Sequence, residues 1–246
     1  MNPIVLIPAR MASTRLPGKP MALIDGEPMI VQVWRRAVES FKGEIVVACD
    51  SDAIAEAITR AGGRAVLTDA DLPSGSDRIY QALQKIDPEK NHDVVINLQG
   101  DMPTLDTSLV AQVLKLMENS EVDIGTLAAV IRDERERGDA AVVKVVTNYQ
   151  LPVTSKGRAL YFSRATIPHG DGPLYHHIGI YAYRREALEH FVTLPPSPLE
   201  KREKLEQLRA LEAGMRIDVA IVDAVPLGVD TPETLELART WYEQRK

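Results

Sequence analysis

Cysteine is almost absent from this sequence, with Cys49 the single one among 246 residues. A lone thiol excludes any intramolecular disulfide framework and suits a reducing compartment. With no base evident beside it in the sequence, Cys49 reads as a small apolar residue at a strand end, not as a nucleophile. Surplus positive charge is missing too, since 29 Lys and Arg stand against 35 Asp and Glu, for a formal net charge of -6. That balance excludes wholesale nucleic-acid binding, which needs cations along a whole face to displace counterions. Long apolar runs are also lacking. The stretch Ile4–Ile7 is far too short for the core of a signal peptide or a membrane span, and Met1–Arg10 has no basic leader. The expectation is a cytoplasmic protein without membrane insertion. No internal repeat, low-complexity tract or interdomain linker is found, and the Pro-rich Leu194–Pro198 reads as a stiff lead into a helix.

What is present is a chain with 45% hydrophobic residues, enough to bury one full core. Buried strands alternate with amphipathic helices: strand Ile4–Pro8, helix Pro28–Ser40, strand Glu44–Ala48, helix Asp52–Ala61, strand Arg64–Leu67, helix Ser76–Ile86, strand Val94–Leu98 and helix Thr107–Glu118. This rhythm predicts a Rossmann-like α/β fold with a mostly parallel central sheet. Strand-like segments then crowd together at Ile124–Val130, Val142–Thr147, Ala159–Phe162 and Ile178–Tyr183, followed by helix Leu199–Ala213, strand Asp218–Val222 and helix Pro232–Glu243. The expected organisation is one domain, 1–246, with a smaller β-rich region at about 123–195.

The acidic chain concentrates three cations, Arg10, Arg15 and Lys19, in one loop, Pro8–Pro20, directly after the first strand. Ligands of α/β sheets bind at the carboxyl ends of strands. Small residues Ala9, Ala12, Ser13 and Gly18 let backbone N–H groups approach an anion, and the three cations supply charge-assisted hydrogen bonds to phosphate oxygens. The loop is not a Walker A motif, because Gly18-Lys19 runs into Pro20 without the spaced upstream glycine, and the spaced glycines of a dinucleotide fingerprint are missing as well. Two aspartates sit at element junctions: Asp101 closes Leu98-Gln99-Gly100-Asp101, and Asp230 precedes Thr231-Pro232. Mg²⁺ takes hard oxygen ligands, one or two carboxylates with phosphate and water, and this pair suits it. Asp230 also admits a plainer reading as part of a helix start.

These segments, taken with others downstream, closely resemble the 3-deoxy-manno-octulosonate (Kdo) cytidylyltransferases, the CMP-Kdo synthetases of lipopolysaccharide synthesis. The resemblance spans almost the whole chain. It rests on Ile7-Pro8-Ala9-Arg10, Ser13-Thr14-Arg15-Leu16-Pro17-Gly18-Lys19-Pro20, Asn97-Leu98-Gln99-Gly100-Asp101, Tyr161-Phe162-Ser163-Arg164-Ala165-Thr166-Ile167-Pro168, His177-Ile178-Gly179-Ile180-Tyr181, Pro196-Ser197-Pro198-Leu199-Glu200, Leu205-Glu206-Gln207-Leu208-Arg209 and Gly228-Val229-Asp230-Thr231-Pro232.

The resemblance implies a nucleotidyltransferase fold whose β-rich region forms a homodimer, with CTP and Kdo as substrates. It implies Pro8, Ala9, Arg10, Arg15, Lys19, Ser76, Arg78 and Gln99 at the nucleotide, and Gln99, Arg164, His177, Tyr181 and Glu206 at the sugar acid. Lys19, Asp101 and Asp230 would be catalytic, the two aspartates as Mg²⁺ ligands. Without the family, His177 and Tyr181 read as half-buried strand residues, Glu206 as a solvated helix position and Arg78 as half of a surface ion pair. The chain departs from the pattern at Met102, where the family usually has Glu, at Ser76-Asp77 in place of Thr-Glu, and in a short His169–Tyr175 stretch. The implied reaction is attack of the anomeric hydroxyl of Kdo on the α-phosphorus of CTP with loss of pyrophosphate. The alternatives are an enzyme for 8-amino-Kdo or a sialic acid, which the stretch Ser13–Leu16 disfavours, and a non-catalytic sugar-nucleotide sensor, which retention of both aspartates disfavours.

Overall fold

Ile4, Val5, Leu6 and Ile7 are wholly removed from water, because their strand, β1 (Pro3–Ala9), is paired along both edges and has helices packed on its faces. The computed structural model describes residues 1–148, 155–223 and 225–245. The chain forms two units, Met1–Ala111 with Pro226–Lys246, and Gln112–Val225. In the first unit β1 leads to a short hairpin, β2 (Leu23–Ile24) and β3 (Glu27–Pro28), then α1 (Met29–Ser40), β4 (Glu44–Cys49), α2 (Asp52–Arg60), β5 (Arg64–Leu67), α3 (Gly75–Ile86) and β6 (Val94–Asn97). The strands lie in the order β5-β4-β1-β6 with every neighbour parallel. Helices α1 and α2 provide the crossovers that parallel pairing needs. The register sets Ala9 opposite Cys49 and Cys49 opposite Leu67, so these three strands end level with one another. The segments leaving those ends, at residues 10, 50 and 68, therefore emerge in a row.

The second unit takes over within α4 (Leu109–Leu116) and continues as β7 (Ile124–Val130), α5 (Glu134–Gly138), β8 (Lys144–Thr147), β9 (Lys156–Ser163), β10 (Tyr175–Arg184), α6 (Arg185–Thr193), α7 (Pro198–Glu203), α8 (Gln207–Glu212) and β11 (Ile217–Val222). Its strand order is β10-β7-β11-β9-β8, and a bridge between His176 of β10 and Lys144 of β8 returns the ladder to its start. Here β7 and β11 pair in parallel, whereas β10–β7, β11–β9 and β8–β9 are antiparallel. The mostly parallel arrangement expected from sequence thus describes the first unit, and the second is mixed. The chain then re-enters the first unit as α9 (Pro232–Glu243), tied by Arg239 Nε to the Leu23 carbonyl at 2.9 Å and by the Tyr242 hydroxyl to the Pro103 carbonyl at 2.8 Å.

One expected helix is two. The segment Leu199–Ala213 breaks at Lys204, whose backbone is left-handed at φ 56°. Leu205 and Leu208, just beyond the break, are buried, whereas α7 buries none of its residues. Helix α6, unexpected from sequence, follows β10 without a loop and buries Ala187, Leu188 and Phe191.

Candidate active site

The loop after β1 is shaped by its own residues. Gly18 has φ 66° and opens a 3-10 turn, Lys19–Met21, with the Met21 N–H donating to the Gly18 carbonyl at 2.8 Å. Only a residue without a Cβ takes that backbone freely. The turn brings the Lys19 side chain between two carboxylates: Nζ donates to Asp101 Oδ2 and to Asp230 Oδ1, each at 2.9 Å. Arg15 Nη2 donates to the other oxygen of Asp230, also at 2.9 Å. Asp101 arrives from the end of β6 through Gly100, where a Cβ would stand 2.5 Å from the Pro8 carbonyl oxygen. Glycine there lets the two strand ends close on each other. The Val229 N–H donates to the Asp101 carbonyl at 2.9 Å, fixing Asp230 beside it.

The helix-start reading of Asp230 is resolved by its neighbour. Thr231 is the cap of α9: its Oγ1 accepts from the Thr234 N–H, while the Thr234 hydroxyl oxygen accepts from the N–H groups of Asp230 and Thr231. The Asp230 carboxylate is left free of capping and faces the cations. Burial opposes the Lys19 ammonium, but the charge of Asp101 and hydrogen bonds to Asp230 and Asp101 outweigh it, so its pKa lies above the usual lysine value. Burial likewise disfavours the Asp230 carboxylate, yet the hydrogen bond and charge of Lys19, assisted by Arg15, hold its pKa below the usual range.

These groups line a cavity of about 730 Å³ within the first unit, within the range of small-molecule sites. Pro8, Ala9, Arg10, Arg15, Lys19, Gln99, Asp101 and Asp230 all line it. Ser74, Gly75 and Arg78, at the start of α3, complete it. Ser76, expected at the nucleotide, is instead buried at 1% exposure and is absent from the cavity lining. Its place is taken by Ser74, which caps α3 by accepting from the Asp77 N–H and donating to Asp77 Oδ2 at 2.7 Å. The Ser74-x-x-Asp77 spacing was a visible cap signal that places the wall two residues earlier. Arg78 is no surface residue, being only 2% exposed.

Among the described residues no group of three or more His, Cys, Asp or Glu gathers as a metal cage. The donor set of Asp101 and Asp230 nevertheless fits Mg²⁺, which accepts one or two carboxylates and fills its remaining positions with phosphate oxygens and water. Both carboxylates meet one compact ammonium, so a compact cation is accommodated at the same spot.

The remaining expected residues, apart from Gln99, belong to the second unit. His177 and Tyr181 stand on β10 with ring centroids 5.5 Å apart, next to a bulge between Ile178 and Tyr181. Thr126 fills that bulge, its hydroxyl lying 2.9 Å from the Ile180 carbonyl, 3.2 Å from the Ile178 carbonyl and 3.0 Å from His177 Nε2. The single Thr126 proton goes to a carbonyl, so its oxygen accepts from His177 Nε2–H, which fixes the tautomer. Burial, with a smaller push from His176, lowers the His177 pKa to about 3. Burial, together with Tyr183 and Glu206, raises that of Tyr181 well above the phenol range. Arg164 directs Nε to the Glu203 carbonyl and Nη1 to the Ala140 carbonyl, both at 2.9 Å, and so bridges the end of α7 to the segment before β8. Glu206 Oε1 lies 3.7 Å from Arg209 Nη2.

Residues 4–217 match the cytidylyltransferase family model. The chain is 61% identical over 244 residues to the 3-deoxy-manno-octulosonate cytidylyltransferase of Parvibaculum lavamentivorans, covering 99% of this chain and 94% of that one. It is 63% identical over 237 residues to the enzyme of the same name from Bradyrhizobium sp., covering 96% and 95%. A solved structure of CMP:2-keto-3-deoxy-manno-octonic acid synthetase complexed with CTP superposes with a TM-score of 0.91 at 38% identity over the full length of both chains. The 4-diphosphocytidyl-2C-methyl-D-erythritol synthase of Anaerococcus prevotii, at 12% identity and a TM-score of 0.65 over 98% and 96% of the two chains, shares the fold alone.

Proposed function

The chain belongs to the 3-deoxy-manno-octulosonate cytidylyltransferase family, and from that premise we propose that it transfers CMP from CTP to the anomeric hydroxyl of Kdo, releasing pyrophosphate. This is the activation step that precedes Kdo incorporation into lipopolysaccharide. The observation that carries the reading is the cavity lined by Arg10, Arg15, Lys19, Asp101 and Asp230, in which Arg15 and Lys19 bond the aspartates.

The residues divide the work by charge. Arg10, Arg15 and Lys19 bind the triphosphate and hold its leaving end in line, offsetting the charge that builds on pyrophosphate as the bond to the α-phosphorus breaks. Asp101 and Asp230 would hold Mg²⁺, which supplies charge neutralisation at the phosphate and acidification of the attacking hydroxyl. Gln99 and, in the second unit, Arg164, His177, Tyr181 and Glu206 carry the sugar-acid assignment. The neutral Nε2–H tautomer of His177 leaves Nδ1 unprotonated, an acceptor suited to a sugar hydroxyl. No covalent enzyme intermediate is needed. A homodimer and a cytoplasmic setting belong to the same reading. Among the described residues no helix is long and apolar enough to cross a membrane.

The test is a pyrophosphate-release assay with each of the four nucleoside triphosphates against Kdo, its 8-amino analogue and a sialic acid, with and without Mg²⁺. Turnover with CTP and Kdo in Mg²⁺, and little elsewhere, is the expected result. Binding of CTP without turnover in any combination would make the protein a sugar-nucleotide sensor.

A further inference from the structure

Arg78 is a buried cation in the cavity wall whose bonding is incomplete. Its Nη1 donates to Thr68 Oγ1 at 2.5 Å and to the Asp69 carbonyl at 3.1 Å. Its Nη2 is buried and has no hydrogen-bond partner in the protein. Opposite it stands Asp50, nearly as buried, with Oδ2 4.0 Å from Nη2, beyond hydrogen-bond reach but close enough to balance the charge. The other oxygen, Asp50 Oδ1, accepts from the Met11 N–H at 3.0 Å. Met11 lies two residues past the end of β1, in the segment that carries Arg10 and Arg15.

Strand register places these groups together. Asp50 follows Cys49 at the end of β4, which pairs with Ala9 on one side and Leu67 on the other. Thr68 follows Leu67, and both its N–H and its hydroxyl donate to the Cys49 carbonyl, at 2.7 and 3.0 Å. Three level strand ends thus present Met11, Asp50 and Thr68 in a row, and Arg78 from α3 reaches across to the last two.

We infer that Asp50 is a positioning residue of the nucleotide site, with one carboxylate oxygen pinning the phosphate-facing loop and the other holding Arg78 so that its spare donor meets an acceptor on the pyrimidine ring. The inference rests on the cavity being the cytidine nucleotide site. A buried guanidinium keeps its position only when its charge is balanced and its other donors are engaged. Thr68 and Asp69 engage Nη1, Asp50 supplies the balance, and Nη2 remains for the ligand. The two halves of the site, phosphate and base, are therefore linked through one side chain that need not touch either.

Two substitutions separate the two roles. Asp50→Asn keeps an oxygen for the Met11 N–H but removes the charge facing Arg78. Asp50→Ala removes both. Binding of CMP and of inorganic tripolyphosphate is measured calorimetrically for each variant, with thermal melting as the check on folding. Asp50→Asn is expected to weaken CMP at least tenfold while leaving tripolyphosphate within twofold of wild type. Asp50→Ala is expected to weaken both. In turnover, Asp50→Asn should raise KM for CTP and leave KM for the sugar acid unchanged. Wild-type affinity for CMP in Asp50→Asn, or equal loss of both ligands in that variant, would overturn the inference. Tripolyphosphate binding unchanged in Asp50→Ala would overturn its loop half. Wild-type protein that binds neither ligand would contradict the nucleotide reading itself, and the inference with it.

Discussion

The Lys19 ammonium sits against both Asp101 and Asp230, the two carboxylates proposed to hold Mg²⁺. A cation bound by those carboxylates must displace it, and a triphosphate drawing Lys19 and Arg15 to its own oxygens would free them. Substituting Lys19→Gln should therefore raise the affinity of the nucleotide-free protein for Mn²⁺, read by electron paramagnetic resonance, even as it lowers affinity for CTP. Equal Mn²⁺ affinity in the two proteins would contradict the competition. Arg10, Arg15 and Lys19 were legible in the sequence because charge concentrated in an acidic chain is conspicuous. Asp50 was not, since a lone aspartate after a strand carries no local signal and acquires its role only through parallel register. The displacement from Ser76 to Ser74 has the same origin: resemblance fixes a segment, whereas the cap of α3 fixes which serine faces the cavity.

At the scale of elements, α9 does more than close the first unit. Its cap, Thr231, takes up the helix N-terminus and leaves Asp230 for the site. Thr231→Ala should cost about 1 kcal/mol of stability, the usual worth of such a cap, and should also lower turnover by loosening Asp230. Urea unfolding and kcat measured on the same preparation test both, and a stability loss without any change in kcat would separate the cap from the site. The segment around Lys204 offers a second test. A lysine at φ 56° occupies backbone space that glycine takes without strain, so Lys204→Gly should be neutral or slightly stabilising where a mid-helix glycine would cost about 1 kcal/mol. The longer elements β7 and α9 matched their sequence readings in type and extent, because the apolar run of one and the cap of the other are local signals. The break at Lys204 left no trace, since a left-handed lysine is dictated by packing and not by its own preference.

For the whole molecule, pH is the most informative variable. His177 is buried neutral with a pKa near 3 against an ordinary 6.5. Its contribution to stability is complete above pH 6.5 and is lost as pH falls, because the unfolded chain takes up the proton that the folded chain refuses. For a shift of this size the loss amounts to about 2–3 kcal/mol at pH 4.5. Urea midpoints at pH 7.5 and 4.5 should separate more in wild type than in His177→Gln, whatever the variant's stability at neutral pH. Equal separation would mean that another group governs the acid limb. The α/β class and the alternation of the first unit followed from composition and periodicity, whereas the closed strand order of the second unit depends on a long-range bridge between β8 and β10 that no local pattern encodes.

We propose that the cavity lined by Lys19, Asp101 and Asp230 performs cytidylyl transfer. It is tested most directly by pyrophosphate release from CTP and Kdo in Mg²⁺, comparing wild type with Asp101→Asn. Wild type should release pyrophosphate only with CTP, and the variant should lose about 10²–10³ in kcat, the scale of removing one group aimed at developing charge. Release by Asp101→Asn at the wild-type rate would contradict it.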